Sequence, residues 1–333
     1  MEKILECIPN FSEGVDQKVI EKIAAAISSV RGVWLLHTDQ SPAANRTVMT
    51  FAGAPEAVVE AAFNAVKTAA EHIDMRLQSG VHPRIGATDV CPLVPLQGMS
   101  MEEADDYAQA LGRRIGDELN IPVYLYEYSQ VAPYRKTLPQ IRKGQYEGLA
   151  AKMQLPEWKP DFGPDMMNAS AGASVLGARR ILVAFNISLD TGDVQIAEAI
   201  AQQMRTVSRS EHSLPRLRAI GWYMADYRQA QVSFNLLDFR LTSPLQVWQR
   251  CGELARAFGV SLAGSEVIGL IPEACLLEAG VFALAEETAV TGKDPVSAAI
   301  AYMGLDRLKP FVPGEKILER VLQKHSDIRL QLR

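Results

Sequence analysis

The chain has 333 residues, of which 34 are Lys or Arg and 39 are Asp or Glu, and its formal net charge at pH 7 is -5. This acidic balance excludes the basic footprint typical of nucleic-acid binding, so we expect no nucleic-acid partner. No apolar run of about 18 residues predicts a membrane span, and the N-terminus lacks a signal-peptide pattern, so we expect a cytoplasmic protein without a membrane partner.

The first part of the chain predicts the element order β-α-β-β-α-β, from apolar runs, helical spacing and turn residues. The predicted strands cover residues 4–8, 33–36, 46–51 and 90–94. The predicted helices lie between Asp16 and Gly32 and over 54–75. His37, Thr38 and Asp39 are expected at the end of the second strand, which should pair with the third as a hairpin. This order is that of a ferredoxin-like domain.

An appendage and a linker follow. We predict a helix over 101–119, a strand over 123–126 and then an irregular, basic, proline-rich connection through Leu155. The segment 156–164 is dense in turn residues and predicts a linker. Because the length favours two domains, we expect domains at 1–178 and 179–333.

The second half predicts the same order of elements again. Its expected strands and helices cover 181–189, 194–207, 218–224, 230–239, 244–258 and 266–271. Residues 86–95 also resemble residues 264–272, with Asp89-Val90 five residues before Pro95 and Glu266-Val267 five residues before Pro272. We therefore predict an α+β protein built by duplication of two ferredoxin-like βαββαβ subdomains, with mixed and antiparallel sheets.

The stretch 80–92 is the main candidate for chemistry, because it places His82, Arg84 and Asp89 in one glycine-bounded loop. Pro83 favours an extended backbone at His82, and an imidazole can accept and donate a proton at neutral pH. A histidine in an ordinary loop before a strand is an equal alternative from spacing alone. The second half lacks the His-Pro-Arg sequence, so we expect a site between the halves, where pockets often occur.

Other residues offer weaker candidates. Arg46 and Arg84 are the arginines nearest the predicted site, and either suits a substrate carboxylate. The small residues 170–174 form a loop that either cradles a ligand or serves as a linker. The four scattered cysteines without a CxxC pair predict neither a zinc site nor a disulfide framework. The motifs of serine hydrolases, nucleotide hydrolases, zinc proteases and dinucleotide enzymes are absent from the sequence.

Several long blocks of the sequence carry a resemblance to a known family: residues 6–14, 45–48, 82–92, 122–126, 160–164, 183–187, 221–223 and 235–239. These blocks closely resemble the formiminotransferase domain family. The resemblance implies two ferredoxin-like subdomains with a folate tunnel between them, and a homodimer. It also implies transfer of the formimidoyl group from N-formimidoyl-L-glutamate to N5 of tetrahydrofolate, the co-substrate, in histidine degradation. No metal is required, and we expect no cyclodeaminase domain in this chain.

The resemblance also carries site residues. His82 matches the catalytic histidine of the family, and Asp39 and Arg84 are our hypotheses for the acid that orients its ring and for a carboxylate clamp. The folate-binding stretch of the family matches Gly163, Pro164, Asp165, Met166, Met167, Asn168, Ala169, Ser170, Ala171 and Gly172. Two alternatives stay open: formyl transfer between 5-formyltetrahydrofolate and glutamate, and a non-catalytic module that binds folate or another small molecule.

Overall fold

The computed structural model describes residues 2–208, 210–286 and 294–325. The chain divides into two compact units, Met1–Arg179 and Arg180–Arg333. Each unit combines helices with one sheet, which is mixed in the first unit and antiparallel in the second. The predicted α+β class with mixed and antiparallel sheets is confirmed.

The described part of the first unit forms a seven-stranded sheet. Its strands are β1 (Ile4–Cys7), β2 (Asn10–Phe11), β3 (Val33–Ser41), β4 (Arg46–Gly53), β5 (Thr88–Gln97), β6 (Val123–Leu125) and β7 (Ser174–Ala178). β1 and β2 both lie between β4 and β5 and are antiparallel to each. β3 pairs with the outer side of β4, whereas β7 continues the sheet in parallel from β5 and carries β6.

Two hydrophobic cores flank this sheet. The helices are α1 (Gln17–Ser28), α2 (Pro55–His72), α3 (Met101–Leu119), α4 (Leu138–Arg142) and α5 (Gln145–Lys152). The larger core includes apolar residues of α1, α2 and α3, and a smaller one includes Ile141 of α4 and Leu149 of α5. Neighbouring residues of a strand point to opposite faces, and accordingly Val175 belongs to the smaller core and Leu176 to the larger.

Three local expectations for the first unit are corrected by the structure. His37, Thr38 and Asp39 lie inside β3, because a register shift between Leu35 and His37 lets the strand continue to Ser41. The segment predicted as an irregular connection contains α4 and α5. β7 was not expected at all, since its five small or apolar residues show no alternation: all five are buried. Parallel pairing on both sides explains such a strand.

The second unit contains a four-stranded antiparallel sheet in the order β11-β8-β10-β9 within the described residues. Its strands are β8 (Val183–Leu189), β9 (Leu217–Met224), β10 (Gln229–Leu236) and β11 (Leu262–Ile268). Phe185 and Ile187 point into the core, whereas Asn186 between them faces the other side. β11 was expected over 266–271, but it starts earlier and ends before Gly269, which turns the chain with a φ of +75°.

The described helices of the second unit are α6 (Val194–Met204), α7 (Pro244–Ala257), α8 (Glu273–Ala285), α9 (Pro295–Met303), α10 (Pro313–Lys316) and α11 (Leu318–His325). The first two lie where the sequence predicted helices. The last four follow the predicted elements as an addition. A side chain at Gly280 of α8 would meet the backbone of Pro295, so the two neighbouring helices approach closely there. No helix in the described ranges is long and apolar enough to cross a bilayer.

Candidate active site

The 80–92 stretch is packed against the loops that precede α1 and β4. Asn45, in the loop before β4, binds the residue before this stretch and the loop before α1, because its Nδ2 donates to Ser79 O at 2.7 Å and its Oδ1 accepts from Gly14 N at 2.9 Å. A Cβ at Gly80 would lie 2.6 Å from Ala44 O, so a larger residue would force the loops apart. The backbone that carries the predicted histidine is therefore fixed by its neighbours.

His82 is partly buried in this loop, and its Nδ1 lies 2.9 Å from the carbonyl oxygen of Pro83. A carbonyl oxygen only accepts, so Nδ1 carries the proton in this geometry and Nε2 is the acceptor. Burial lowers the pKa of His82 well below its usual value, and the charges of Arg46 and Arg142 lower it further, against the opposite effects of the Pro83 carbonyl and Asp89. The ring is thus neutral at pH 7 and able to take up a proton.

Asp89 is fully buried and lies between two arginines. It accepts from Arg46 Nη1 at 2.9 Å, from Arg142 through Nε at 3.3 Å and Nη2, and from Ile85 N at 3.0 Å. Burial by itself would raise the pKa of Asp89, but the charges of Arg142 and Arg46 outweigh it and hold the pKa below its ordinary value. Asp89 is therefore ionised and joins β5 to β4 and α4.

Arg46 begins β4 and is buried. Its Nε and Nη2 donate to Asn10 Oδ1 at 3.0 and 2.7 Å, on the neighbouring β2. Burial lowers the pKa of Arg46 to about 10, and Arg142 acts in the same direction, while Asp89 opposes it. We name the group of Arg46, Asp89 and Arg142 the arginine cluster; it holds two positive charges against one negative charge.

Arg84, the predicted clamp, is buried and has partners within the protein. Its Nη1 and Nη2 donate to the two carboxylate oxygens of Glu147 at 3.0 and 2.7 Å, and its Nε donates to Gln78 Oε1 at 2.7 Å. Because Glu147 belongs to α5, this bidentate pair ties the 80–92 stretch to that helix.

Asp39, the predicted orienting acid, lies on β3 beside His37. The two residues are two positions apart and share one side of the strand, with 3.6 Å between His37 Nε2 and Asp39 Oδ2. The acid whose charge acts on the pKa of His82 is Asp89.

The 163–172 segment lies next to the 80–92 stretch at its C-terminal end. Ala87 N donates to Ala171 O at 2.8 Å, and Ala173 N donates to Ile85 O at 3.0 Å. Gly172 adopts a φ of +71°, and a Cβ there would lie 2.2 Å from Ile85 O. The structure therefore brings the 80–92 stretch and this segment together at Ile85 and Ala87, and glycine is required at the point of contact.

At its other end the segment begins beside Phe162, whose carbonyl accepts from Val123 N at 2.9 Å. In its middle, Asn168 Oδ1 accepts from Ala171 N at 2.9 Å and from Ser170 Oγ at 3.1 Å. Met166 is exposed. The segment is thus a loop held at both ends and folded on itself by an asparagine.

Arg142 is the site residue that the sequence did not reveal. It was part of a segment predicted to be irregular, and its contact with Asp89 spans 53 positions of the chain. One local pattern was present: Thr137 and Gln140 have the spacing of a capping box, which the structure contains at the start of α4.

Comparison with known proteins assigns the chain to a family. The model of the formiminotransferase domain, N-terminal subdomain, matches residues 4–179, and that of the formiminotransferase domain matches residues 184–323. Glutamate formimidoyltransferase of Streptococcus pyogenes serotype M1 is 42% identical over 86% of this chain and 95% of its own length. The protein of that name from Thermoplasma acidophilum is 40% identical over 84% and 92%.

A longer relative, formimidoyltransferase-cyclodeaminase of Rattus norvegicus, is 44% identical over 96% of this chain. The matched part is 60% of the rat protein's length. Both family models and the two shorter relatives therefore agree along nearly the whole sequence, and the chain belongs to the formiminotransferase domain family.

Proposed function

We propose that the protein transfers the formimidoyl group of N-formimidoyl-L-glutamate to N5 of tetrahydrofolate and releases L-glutamate. The observation that carries the proposal is His82, with Nε2 as acceptor, in the stretch whose Ile85 and Ala87 pair with the 163–172 segment and its neighbour Ala173. The names of the two shorter relatives support the same activity. Tetrahydrofolate is the co-substrate, and the 163–172 segment is its proposed contact.

The proposed architecture is a duplication of ferredoxin-like subdomains. Its support is a shared strand order. If the two-residue β2 is left out, the order β5-β1-β4-β3 in the first unit corresponds to β11-β8-β10-β9 in the second. The boundary at 178/179, the folate tunnel, the homodimer and the cytoplasmic location stay predictions of the sequence.

In the proposed mechanism, the lone pair of N5 forms a bond to the formimidoyl carbon. Nε2 of His82 takes the proton that N5 loses, while the other ring proton stays on Nδ1, which keeps donating to the Pro83 carbonyl. The tetrahedral intermediate then breaks its bond to the glutamate nitrogen, which receives the proton from His82. The histidine ends neutral, as it began. Such a proton transfer typically accelerates a reaction by about 10²–10⁴-fold. Holding both substrates in place gives an effective molarity of roughly 10⁵ M or more.

Asp39 and Arg84 keep proposed roles, as an acid that orients the catalytic histidine and as a carboxylate clamp. Arg84 is paired with Glu147, so a substrate carboxylate would have to replace that of Glu147. The Glu147 side chain is 63% exposed, which makes such an exchange sterically open.

The test is His82→Ala, compared with the wild type for both transfer and folate binding. We expect kcat to fall by about 10²–10⁴-fold, while the Kd for folate, measured by fluorescence titration, changes little. His72→Ala is the matched control, since His72 is an exposed helical histidine. Near-normal turnover by the His82 variant would refute its assigned role.

The two alternatives are separated by the donor. Assays with N-formimidoyl-L-glutamate and with 5-formyltetrahydrofolate plus glutamate measure the two transfers side by side. Turnover only in the second assay would favour formyl transfer. Folate binding without turnover in either would favour a binding module.

A further inference from the structure

The arginine cluster has hydrogen-bond donors that the protein does not use. A guanidinium carries five N–H groups. Arg46 directs two of them to Asn10 and one to Asp89, and Arg142 directs two to Asp89. Within the described residues, two N–H groups of Arg46 and three of Arg142 thus have no protein acceptor. The Arg142 side chain is 13% exposed, so its donors are accessible from outside.

The charges of the cluster are also unbalanced. Asp89 neutralises one of the two guanidinium groups, and one positive charge remains in a largely buried place. Arg84 differs, because its fork already holds a carboxylate, that of Glu147, through two hydrogen bonds. A group with a net positive charge, unused donors and partial burial favours an anion with planar oxygens, such as a carboxylate.

The cluster is rigid as well. Arg142 ends α4, and Lys152 Nζ donates to the carbonyls of Gln140 and Ile141 at 3.2 and 2.6 Å. Asp89 accepts hydrogen bonds from Nε and Nη2 of Arg142 and so fixes the plane of the guanidinium group. The unused donors therefore point in a set direction before any ligand arrives, which reduces the ordering cost of binding.

We propose that Arg142, with Arg46, binds the α-carboxylate of the formimidoyl donor; this rests on the proposed function. In N-formimidoyl-L-glutamate the reacting nitrogen and the α-carboxylate share one carbon, so a base that serves the nitrogen has that carboxylate as its neighbour. The Asp89 carboxylate that holds both guanidinium groups also accepts from Ile85 N at 3.0 Å, in the loop that carries His82, so the cluster lies beside that loop. The cluster has the charge and the free donors for this carboxylate.

The test compares donors that lack one carboxylate. N-formimidoyl-4-aminobutyrate lacks the α-carboxylate, and N-formimidoyl-2-aminobutyrate lacks the side-chain carboxylate. Arg142→Gln should lower kcat/KM by about 10- to 100-fold for formimidoylglutamate and for the 2-aminobutyrate donor. It should change kcat/KM for the 4-aminobutyrate donor far less, because this donor has no α-carboxylate for Arg142 to bind. Arg142→Lys should recover part of the loss by keeping the charge.

Arg114→Gln is the matched control, since Arg114 forms surface ion pairs with Glu60 and Glu118. This substitution should leave kcat/KM unchanged for all three donors. An equal loss with every donor would overturn the proposal and assign Arg142 a structural role or an effect through His82. A loss confined to the two donors that retain the side-chain carboxylate would overturn the choice of the α-carboxylate. Circular dichroism and urea unfolding verify that each variant is folded.

A binding measurement separates this inference from the proposed function. If the wild type fails to turn over formimidoylglutamate, the proposed function is wrong, and calorimetric titration with L-glutamate and with 4-aminobutyrate still tests the subsite. Binding of L-glutamate that Arg142→Gln abolishes, with no binding of 4-aminobutyrate, supports the subsite. Absence of L-glutamate binding, or binding that Arg142→Gln leaves intact, overturns it.

Discussion

Asp89 and Glu266 are buried acids at corresponding places in the two units, each on the strand that lies beside the first strand of its sheet. Their surroundings differ. Asp89 is held by two arginines, whereas Glu266 accepts from the amide of Gln231 at 2.9 Å and the hydroxyl of Tyr227 at 3.0 Å.

Within the described residues Glu266 also has a lysine at ion-pair distance, Lys309 Nζ at 3.7 Å, but this side chain is exposed. A buried carboxylate can thus be held mainly by neutral donors. The arginines around Asp89 exceed what that carboxylate needs. The extra charge in the first unit is the feature on which the proposed carboxylate subsite rests.

The largest expected effect on stability is that of Asp89→Asn. The substitution leaves two buried guanidinium groups without their counter-charge, and we expect a loss of about 3–5 kcal/mol in the free energy of unfolding. Urea unfolding at pH 7 measures it. A loss below about 1 kcal/mol would show that the cluster is solvated and would weaken the contrast with Glu266.

The pH dependence of that loss follows from the lowered pKa of Asp89. A carboxyl group whose pKa is lower in the folded state contributes stability above its unfolded value, about 3.9, and this contribution is lost as the pH falls through the folded value. The difference between wild type and Asp89→Asn should therefore be constant from pH 5 to 7 and shrink below about pH 4.

A smaller effect is expected from Gly86→Ala, which compares the glycines that precede the two acids. A Cβ at Gly86 would lie 2.1 Å from Ala173 O, a backbone atom, so we expect a loss of about 1–3 kcal/mol. At Gly264 the nearest atom is the Cβ of Arg307 at 3.0 Å, and Gly264→Ala should cost less. Thermal unfolding of both variants measures the difference, and an equal loss would contradict it.

Glu266→Gln should change the stability by no more than about 1 kcal/mol, because an amide oxygen can still accept from neutral donors and no buried cation loses its partner. The same urea titration tests this. A loss as large as that of Asp89→Asn would mean that Lys309 matters more than its exposure suggests.

The last prediction concerns the acid limb of kcat/KM. In the proposed mechanism the neutral His82 is the active form, and its lowered pKa places this limb below the ordinary histidine value of about 6.5. Arg142→Gln removes one of the charges that lower this pKa, so the limb should move to higher pH. Arg114→Gln should not move it. A limb that stays in place in the Arg142 variant would show that the charge of Arg142 does not contribute to the pKa of His82.

Much of this comparison was accessible from the sequence. The likeness of 86–95 to 264–272 placed Asp89 and Glu266 at matching positions, and the glycine-bounded loop singled out His82. The partners of Asp89 were not accessible, since Arg142 reaches it from a one-turn helix whose position depends on tertiary packing. β7 was not predicted for a related reason: a strand buried between partners on both sides shows no alternation of apolar and polar residues.

The loop over 163–172, the proposed folate contact, is closed by the fold itself. Hydrogen bonds fix Phe162 to Val123 at one end and Ala171 and Ala173 to the His82 stretch at the other. Closing a flexible loop costs entropy, and here folding has already met that cost. A substitution that opens either end would transfer it to the binding step, so affinity would fall although no contact with the ligand had changed.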